Sequence, residues 1–522
     1  MPVEMPAQTM TMDGISPGLF LIAAALLAAV TLLIPWRLET RRSGPGNPAS
    51  SSAGWRLDLL QSSVVTAMVR ARTFQFFLRL PFVFLFLFII FAGLFGAQSS
   101  DRNIASLLTW TVWWASLVIF ILFLGKIWCL VCPWNAIAEW IQRLTFWKKK
   151  DTTISLNLPW PRRLRNIYLA TGLFVGLTWL ELGFGVTTSP VATAGLGLLI
   201  LAMAVIPALY HDRKPFCRYG CLVGRVSGLY ALFSPVELRA RDTDVCRDVC
   251  HTRDCVQGNE RGYGCPTNEY LGTMDLNTYC ILCTECIKTC PHDNVAFNLR
   301  PFAADLTKSA RLRADEAYLC LAMLSLTIFH GFTMTPVWAD SVLNVREAFG
   351  IGDFGQTVAF TLGMTLVLGL PIAAFLGIAW ASRWLAGRGK SLGEVFVAYA
   401  YMFLPVALLY HLAHNVQHLL REGQKIVPLL SDPLGWGWNL FGTAAWSPGP
   451  LASLASIQYA QVIFVLLGHA VGIYVAFYVS RRMTTARSAA RLSLAPVLLL
   501  ALGFSLVNLW LLAQPMQMRS AM

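Results

Sequence analysis

At residues 280–291 the chain reads Cys280-Ile-Leu-Cys283-Thr-Glu-Cys286-Ile-Lys-Thr-Cys290-Pro291. The spacing C-x2-C-x2-C-x3-C-P puts three thiolates in one short loop and a fourth before a proline. This pattern is typical of cysteines that ligate a [4Fe-4S] cube. A structural zinc site would use two separated pairs of ligands, and a disulfide framework belongs to small secreted domains. The stretch therefore predicts an iron–sulfur cluster and a one-electron carrier.

A looser cysteine run precedes it, with the pattern Cys246-x3-Cys250-x4-Cys255-x9-Cys265-Pro266. In two-cluster ferredoxins, the cysteine before proline in each run ligates the cube of the other run. By that rule, one cube is expected to bind Cys265, Cys280, Cys283 and Cys286, and the other Cys246, Cys250, Cys255 and Cys290. The sequence thus predicts two [4Fe-4S] clusters. A zinc ion or an empty site is the alternative for the looser run.

The composition is that of a membrane protein: 56% of the 522 residues are hydrophobic and only 13% are charged. Soluble proteins carry about a quarter charged residues. Apolar segments long enough to cross ~30 Å of hydrocarbon recur along the chain. About ten spans are predicted, at residues 17–36, 74–97, 105–126, 166–186, 190–210, 316–335, 356–382, 394–420, 457–480 and 492–513. The expected fold is an all-α polytopic membrane protein with a small α+β ferredoxin-like insert that carries two clusters.

The formal charge of +13 comes from Lys and Arg residues at the ends of apolar segments. They fall in alternate loops, at Arg37 to Arg72, Lys148 to Lys150, Arg162 to Arg165, Arg213 to Lys214, Arg383 to Lys390 and Arg481 to Arg491. Such loops face the cytoplasm, so the charge indicates membrane topology and no nucleic-acid partner. A multi-pass protein of a bacterial inner membrane is predicted, with a cytoplasmic insert and both termini in the periplasm.

Three domains follow from this pattern. Residues 1–210 are predicted to form an N-terminal bundle of five helices, and residues 316–522 a C-terminal bundle of five. The cytoplasmic insert lies between them at 211–315. A linker at 43–55, rich in Gly, Ser and Pro, is expected to be flexible.

Two further cysteine pairs follow the third and fifth spans. The first reads Gly125-Lys-Ile-Trp-Cys129-Leu-Val-Cys132-Pro133, and the second reads Lys214-Pro-Phe-Cys217-Arg-Tyr-Gly-Cys221. Each pair emerges at a helix end, after a basic and an aromatic residue. Helix ends at one membrane depth could bring the four thiols together as a third metal site. A redox dithiol or a metal-delivery site would use the same geometry, and unrelated reduced thiols are the further alternative.

These two pairs, followed by a ferredoxin insert, resemble the membrane polyferredoxin family with its NapH, NosR and CcoG types. The resemblance covers about residues 74–315. It implies iron–sulfur electron transfer of the kind associated with nitrate reduction, nitrous-oxide reduction or cytochrome oxidase assembly. Residues 316–522 extend beyond the NapH and CcoG pattern.

Five histidines lie in predicted spans of the C-terminal bundle. The eighth span contains His411-Leu-Ala-His414-Asn-Val-Gln-His418, whose offsets place the three imidazoles on one helical face. Ionisable residues within a membrane tend to face the bundle interior. We predict a b-type haem with His411 and His469 as axial ligands, because the two lie at comparable depth. A second haem or a quinone site could use His330 and His414. A metal site, a proton relay or hydrogen bonds between helices are the alternatives.

The sequence favours a membrane-bound iron–sulfur electron-transfer protein, a subunit of an oxidoreductase. It would relay electrons between a quinone or quinol pool, or a redox partner, and a cytoplasmic or periplasmic oxidoreductase. The alternative is a CcoG-like copper-handling or assembly factor that uses the two cysteine pairs. A redox-gated transporter is a third class, suggested by the intramembrane prolines Pro371 and Pro405. The chain has no nucleotide-binding glycine fingerprint after a strand and no nucleophile-elbow serine.

Overall fold

A computed structural model describes residues 11–41, 55–147, 152–308, 312–349, 352–386, 389–484 and 486–517. The predicted linker at 43–55, except for its last residue, lies outside the described residues, as do the basic residues Lys148–Lys150. The described part of the chain is mostly helical, with seven short strands.

The helices of the first half are α1 (Pro17–Arg41), α2 (Ser63–Arg70), α3 (Phe74–Phe95), α4 (Ile104–Ser106), α5 (Trp114–Leu124), α6 (Ile127–Val131), α7 (Pro133–Arg143), α8 (Tyr168–Gly183), α9 (Pro190–Tyr210) and α10 (Leu222–Tyr230). Those of the second half are α11 (Asp254–Gln257), α12 (Glu285–Thr289), α13 (Ala314–Thr333), α14 (Pro336–Phe349), α15 (Gly352–Leu385), α16 (Leu392–Ala400), α17 (Phe403–Glu422), α18 (Ile426–Ser431), α19 (Leu454–Met483) and α20 (Arg487–Ala513). A π-helical segment, Leu107–Trp113, joins α4 to α5.

Nine helical segments of the described chain are long and apolar enough to cross a membrane. They correspond to nine of the ten predicted spans. The remaining prediction, at 166–186, corresponds to α8, which is apolar but has only 16 residues. The region 336–355, which lies between two predicted spans, contains helix α14. The multi-pass architecture expected from hydropathy is therefore present.

Helix α1 does not pack as the predicted division at residue 210 implies. It contacts α19 and α20, and Ala23 and Leu27 are buried in the core that these helices share. Next to it, strand β1 (Thr11–Met12) pairs antiparallel with β7 (Met516–Gln517). The first helix therefore belongs with the C-terminal helices. Hydropathy fixes the length of a span, but it does not say which helices become its neighbours.

The described helices form two groups that pack against each other. In one, α3 packs against α7 and α9; in the other, α17 packs against α19, and α15 packs against α13 and α20. Contacts of α5 with α17, and of α8 and α10 with α13, join the groups. The cysteine pairs lie where α5 and α9 end, beside this junction.

Residues of the predicted insert, together with residues 57–58 from the part of the chain predicted to belong to the N-terminal bundle, form a three-stranded antiparallel sheet. Strand β6 (Val295–Leu299) lies between β2 (Leu57–Asp58) and β3 (Val236–Ala240), and a second small hairpin pairs β4 (Gly258–Asn259) with β5 (Gly262–Tyr263). Behind the sheet, Arg300 forms buried ion pairs with Glu237 and Asp305. The cysteine loops pack on the apolar face of this sheet, which gives them a rigid support.

Candidate iron–sulfur sites

One group of insert cysteines lines a small cavity together with Tyr270 and Asn294. Its members are Cys246, Cys250, Cys255 and Cys290. Asn294 donates twice to sulfur: its backbone N–H lies 3.3 Å from Cys290 Sγ, and its Nδ2 lies 3.3 Å from Cys246 Sγ. Burial, together with the neighbouring thiols, raises the pKa of Cys255 to about 12. Such crowded thiols ionise readily only when a cation is bound among them.

The second group consists of Cys265, Cys280, Cys283 and Cys286. Burial raises the pKa of Cys280 to about 11, and the nearby Cys265 thiol contributes. Burial and neighbouring thiols also raise the pKa values of Cys283 and Cys286. In the loop that carries Cys280, Cys283 and Cys286, Leu282 and Thr284 have positive φ values of 54° and 63°. Few non-glycine residues adopt this conformation, and it curls the backbone around the thiols.

These two groups are the ones expected from ferredoxin spacing, with Cys265 and Cys290 exchanged between the runs. Ligands of a single zinc ion all lie within about 2.3 Å of it. The described residues contain no group of three or more His, Cys, Asp or Glu that converges in this way. Ligands of a cube bind separate iron atoms and stand further apart. The role of these two thiol sets as ligands of a cube stays a prediction, and zinc stays the alternative for the looser run.

The structure also brings together the two cysteine pairs that follow the third and fifth predicted spans. These residues are called the four-cysteine group: Cys129, Cys132, Cys217 and Cys221. Gly125, at a positive φ of 61°, ends α5 and turns the chain toward the first pair. Burial raises the pKa of Cys221 to about 12, and the thiols of Cys217 and Cys129 contribute. Burial likewise raises the pKa of Cys132, and Cys221 from the other pair adds to the effect. The Gly224 backbone N–H donates to Cys221 Sγ at 3.3 Å.

A buried ionic clamp holds the two pairs against each other. Glu139, on the helix that follows Cys132, contacts Lys214 and Arg143, and its Oε1 lies 3.1 Å from Arg79 Nη1. Lys214 Nζ also donates to Asn135 Oδ1 at 2.6 Å. Burial alone would raise the pKa of Glu139, but the three cations hold it well below its usual range. Sequence reasoning missed this clamp, because Glu139 and Lys214 lie 75 residues apart in the chain.

Two buried cations lie between the four-cysteine group and the second insert group. Lys126 is 1% exposed, and its Nζ donates to the carbonyl of Thr278 at 3.1 Å. Burial, and then the nearby Arg225, lower the pKa of Lys126 to about 8. Arg225 is 2% exposed, and its guanidinium lies 4.6 Å from the centre of the Tyr279 ring.

In the described part of the chain, Arg225 Nε and Nη2 make no hydrogen bond, and the Glu269 carboxyl is an electrostatic neighbour of both cations. Burying two positive charges near a single carboxylate is costly, so further anionic groups are expected close by. Cubes held by four thiolates carry net negative charge, and both neighbouring cysteine groups could provide it. The pattern of charge therefore fits bound clusters at these positions.

The predicted haem ligands His411 and His469 are not brought together. The ring nitrogens of His469 lie 2.8 Å from Thr31 Oγ1 and 2.9 Å from Ser505 Oγ, between α1, α19 and α20. The ring of His411 instead faces Tyr230, with 3.5 Å between Nδ1 and the phenol oxygen. The sequence predicts comparable depth for the two histidines, but depth alone does not say which neighbours each imidazole faces. These contacts give no support to a haem held by this pair, which stays a prediction.

The other histidines meet around a polar cavity of about 530 Å³, which His411 also lines. Ring centres of His330 and His414 are 6.2 Å apart, and those of His414 and His418 are 4.9 Å apart. Glu181 and Glu422 line the same cavity. Sequence reasoning missed both glutamates. The signal was there for Glu181, the one charged residue of the predicted span 166–186, since carboxylates within membranes are usually functional.

Comparison with known proteins agrees with iron–sulfur chemistry. A family model described as a 4Fe-4S binding domain matches residues 106–154 and 193–238. These two segments carry the Cys129/Cys132 and Cys217/Cys221 pairs, and they lie outside the cysteine runs of the insert.

A curated relative is the methylamine utilization ferredoxin-type protein MauN of Paracoccus denitrificans (strain Pd 1222). It is 28% identical over 145 residues, which are 25% of this chain and 47% of the relative. The chain therefore spans about half the length of the relative that it matches. No solved structure matches. The findings support an iron–sulfur protein of ferredoxin type and do not single out the NapH, NosR or CcoG types.

Proposed function

We propose that this protein transfers electrons within a bacterial inner membrane through three iron–sulfur centres. Two are the cubes of the insert, and the third is held by the four-cysteine group. The observation that carries the proposal is the convergence of Cys129, Cys132, Cys217 and Cys221 from two distant segments. Both of these segments match a 4Fe-4S binding domain.

A bound cube supplies reversible one-electron transfer, and the protein supplies its position and electrostatic surroundings. Backbone and amide N–H groups of Gly224 and Asn294 donate to cysteine sulfur and favour the thiolate form. Lys126 and Arg225 provide positive charge where reduction adds negative charge. Burial of the thiols keeps water away from the ligands.

The second insert group and the four-cysteine group lie next to each other in the structure. Lys126 lies three residues before Cys129, and the carbonyl it contacts belongs to Thr278, two residues before Cys280. The Lys126 side chain, next to the four-cysteine group, thus donates a hydrogen bond to the backbone next to the second insert group. We propose that electrons pass between the insert and the membrane bundle at this point.

The insert faces the cytoplasm in this proposal, because the basic loops lie at its end of the helices. The exchange partner on the membrane side is a quinone or quinol pool or a redox protein. The partner on the other side is a cytoplasmic or periplasmic oxidoreductase.

Iron and acid-labile sulfide analysis of anaerobically purified protein, with low-temperature EPR, tests the proposal. Three cubes predict about 12 iron and 12 sulfide per chain. The double variant Cys129→Ser/Cys217→Ser should lose about four of each and keep the insert signals. Cys320→Ala is the matched control, because Cys320 is buried within α13, outside all three groups.

Unchanged iron in the double variant would contradict the third centre. Copper in stoichiometric amount, lost in that variant while the insert signals persist, would instead favour the copper-handling alternative. Zinc without sulfide would contradict the function as a whole.

A further inference from the structure

The polar cavity of about 530 Å³ lies where α5, α8, α13, α15 and α17 meet. Aromatic side chains form part of its wall, among them Trp110, Trp114, Trp338 and Phe360. Flat rings of this kind suit the binding of another flat ring. A polar space of this size between membrane helices is a candidate ligand site.

Two imidazole–carboxylate pairs face this cavity. His330 Nε2 lies 3.8 Å from Glu181 Oε2, and His418 Nδ1 lies 3.7 Å from Glu422 Oε1. The first pair joins α13 to α8, and the second lies within α17. Each pair can take up or release one proton. A ligand that exchanges two protons would find one pair for each.

A second cavity, of about 520 Å³, adjoins the first and differs in chemistry. It is lined almost entirely by apolar side chains of α3, α5 and α9, including Phe82, Phe86 and Leu196. Trp110 and Trp114 line both cavities, so the two spaces are neighbours. Together they suit a molecule with a polar ring and a long apolar chain.

Both cavities lie close to the four-cysteine group. The apolar cavity is also lined by Trp128 and Pro133, the neighbours of Cys129 and Cys132. From the polar cavity, His411 contacts Tyr230, the last residue of α10, whose N-cap is Cys221. Nine residues of helix separate Tyr230 from Cys221, a distance of about 14 Å at 1.5 Å per residue.

We propose that the two cavities together bind a membrane quinol, with the ring in the polar cavity and the isoprenoid chain in the apolar one. The inference rests on the proposed function and adds the site of exchange. On oxidation both O–H bonds of the quinol break and a quinone forms. One proton passes to the Glu181–His330 pair and one to the Glu422–His418 pair. The two electrons pass singly to iron–sulfur centres, and the same groups serve the reverse reaction.

Binding is tested on full-length protein in quinone-depleted nanodiscs, by quenching of tryptophan fluorescence. The probes are decylubiquinone and ubiquinone-0, which lacks the chain. Saturable quenching by both is expected, with tighter binding of decylubiquinone. Ser116 lines only the apolar cavity. The variant Ser116→Phe should therefore weaken decylubiquinone binding at least tenfold and leave ubiquinone-0 binding unchanged.

Proton exchange is tested by anaerobic reoxidation of dithionite-reduced protein with decylubiquinone, followed by EPR. Glu181→Gln and Glu422→Gln should each slow reoxidation at least tenfold and leave the dithionite-reduced spectrum unchanged. Glu347→Gln is the matched control, because Glu347 is exposed on α14 outside the cavity. His418→Gln provides a second variant should a glutamine variant fail to fold.

Several outcomes would overturn the inference while the proposed function stands. They are non-saturable quenching, equal effects of Ser116→Phe on both probes, displacement of quinone by added phospholipid, and one haem per chain bound at the cavity histidines. Reoxidation at the parent rate in both Glu181→Gln and Glu422→Gln would also overturn the inference. Absence of iron and sulfide would overturn the proposed function instead, and the binding assay would still report on the cavity.

Discussion

Lys126 carries a buried positive charge that lies close to two of the proposed centres. Its Nζ is buried beside the Thr278 carbonyl, with cysteine thiols of both groups as electrostatic neighbours. Lys126→Met removes a positive charge that stabilises the reduced, more negative state. We expect reduction potentials of the adjacent centres to fall by tens of millivolts, since ~59 mV corresponds to a tenfold change in a one-electron equilibrium. An EPR-monitored redox titration measures the shift.

The matched control for this change is Lys390→Met, at a half-exposed lysine paired with Glu394 on the surface. It should leave all potentials unchanged. Equal potentials in Lys126→Met and the parent protein would show that the lysine does not act on the centres. Lys126→Arg should recover part of the shift, because it restores the charge but not the position of the donor atom.

Among the elements, the Glu139 clamp ties α3 and α7 to the segment that carries Cys217. Glu139→Gln leaves Arg79 and Lys214 buried without their carboxylate, and breaking such a buried network costs about 3–5 kcal/mol. We expect a lower thermal unfolding midpoint and loss of iron from the four-cysteine group, with the insert signals retained. Circular dichroism and iron analysis measure the two effects. Glu347→Gln, at an exposed position, is again the control.

The clamp also has a definite pH dependence. Because the pKa of folded Glu139 is depressed, its contribution to stability is fully present above the unfolded value of about 4.3. It is lost as the pH falls toward the folded pKa. The difference in stability between the parent and Glu139→Gln should therefore shrink on acidification. A difference that grew at low pH would contradict the assignment.

Sequence reasoning predicts the features of helices and loops that depend on a local pattern of residues. Hydropathy located the spans, because crossing a membrane requires length, and spacing grouped the insert cysteines, because a cluster loop is short. It did not reach contacts between distant segments. Glu139 and Lys214 meet across 75 residues, and His469 faces Thr31 of a helix assigned to the other bundle. Periodicity indicates that a face is buried, but the neighbour depends on the packing of the whole chain.

For the whole molecule, the pairing of β1 with β7 places both described ends of the chain at the same end of the helix bundle. The basic loops predict that this end is periplasmic. A protease-cleavable tag fused at either terminus should therefore be cut in right-side-out spheroplasts and protected in inverted vesicles. The same tag inserted at Gly389, in a basic loop, should show the opposite behaviour.

The structure makes this test stricter than charge counting alone, because the paired strands require both termini to behave alike. Cleavage of the two terminal tags from opposite sides would contradict the pairing as well as the topology. Cleavage of both only in inverted vesicles would keep the pairing but reverse the orientation. The insert would then face the periplasm, and its electron-transfer partner would have to be sought there.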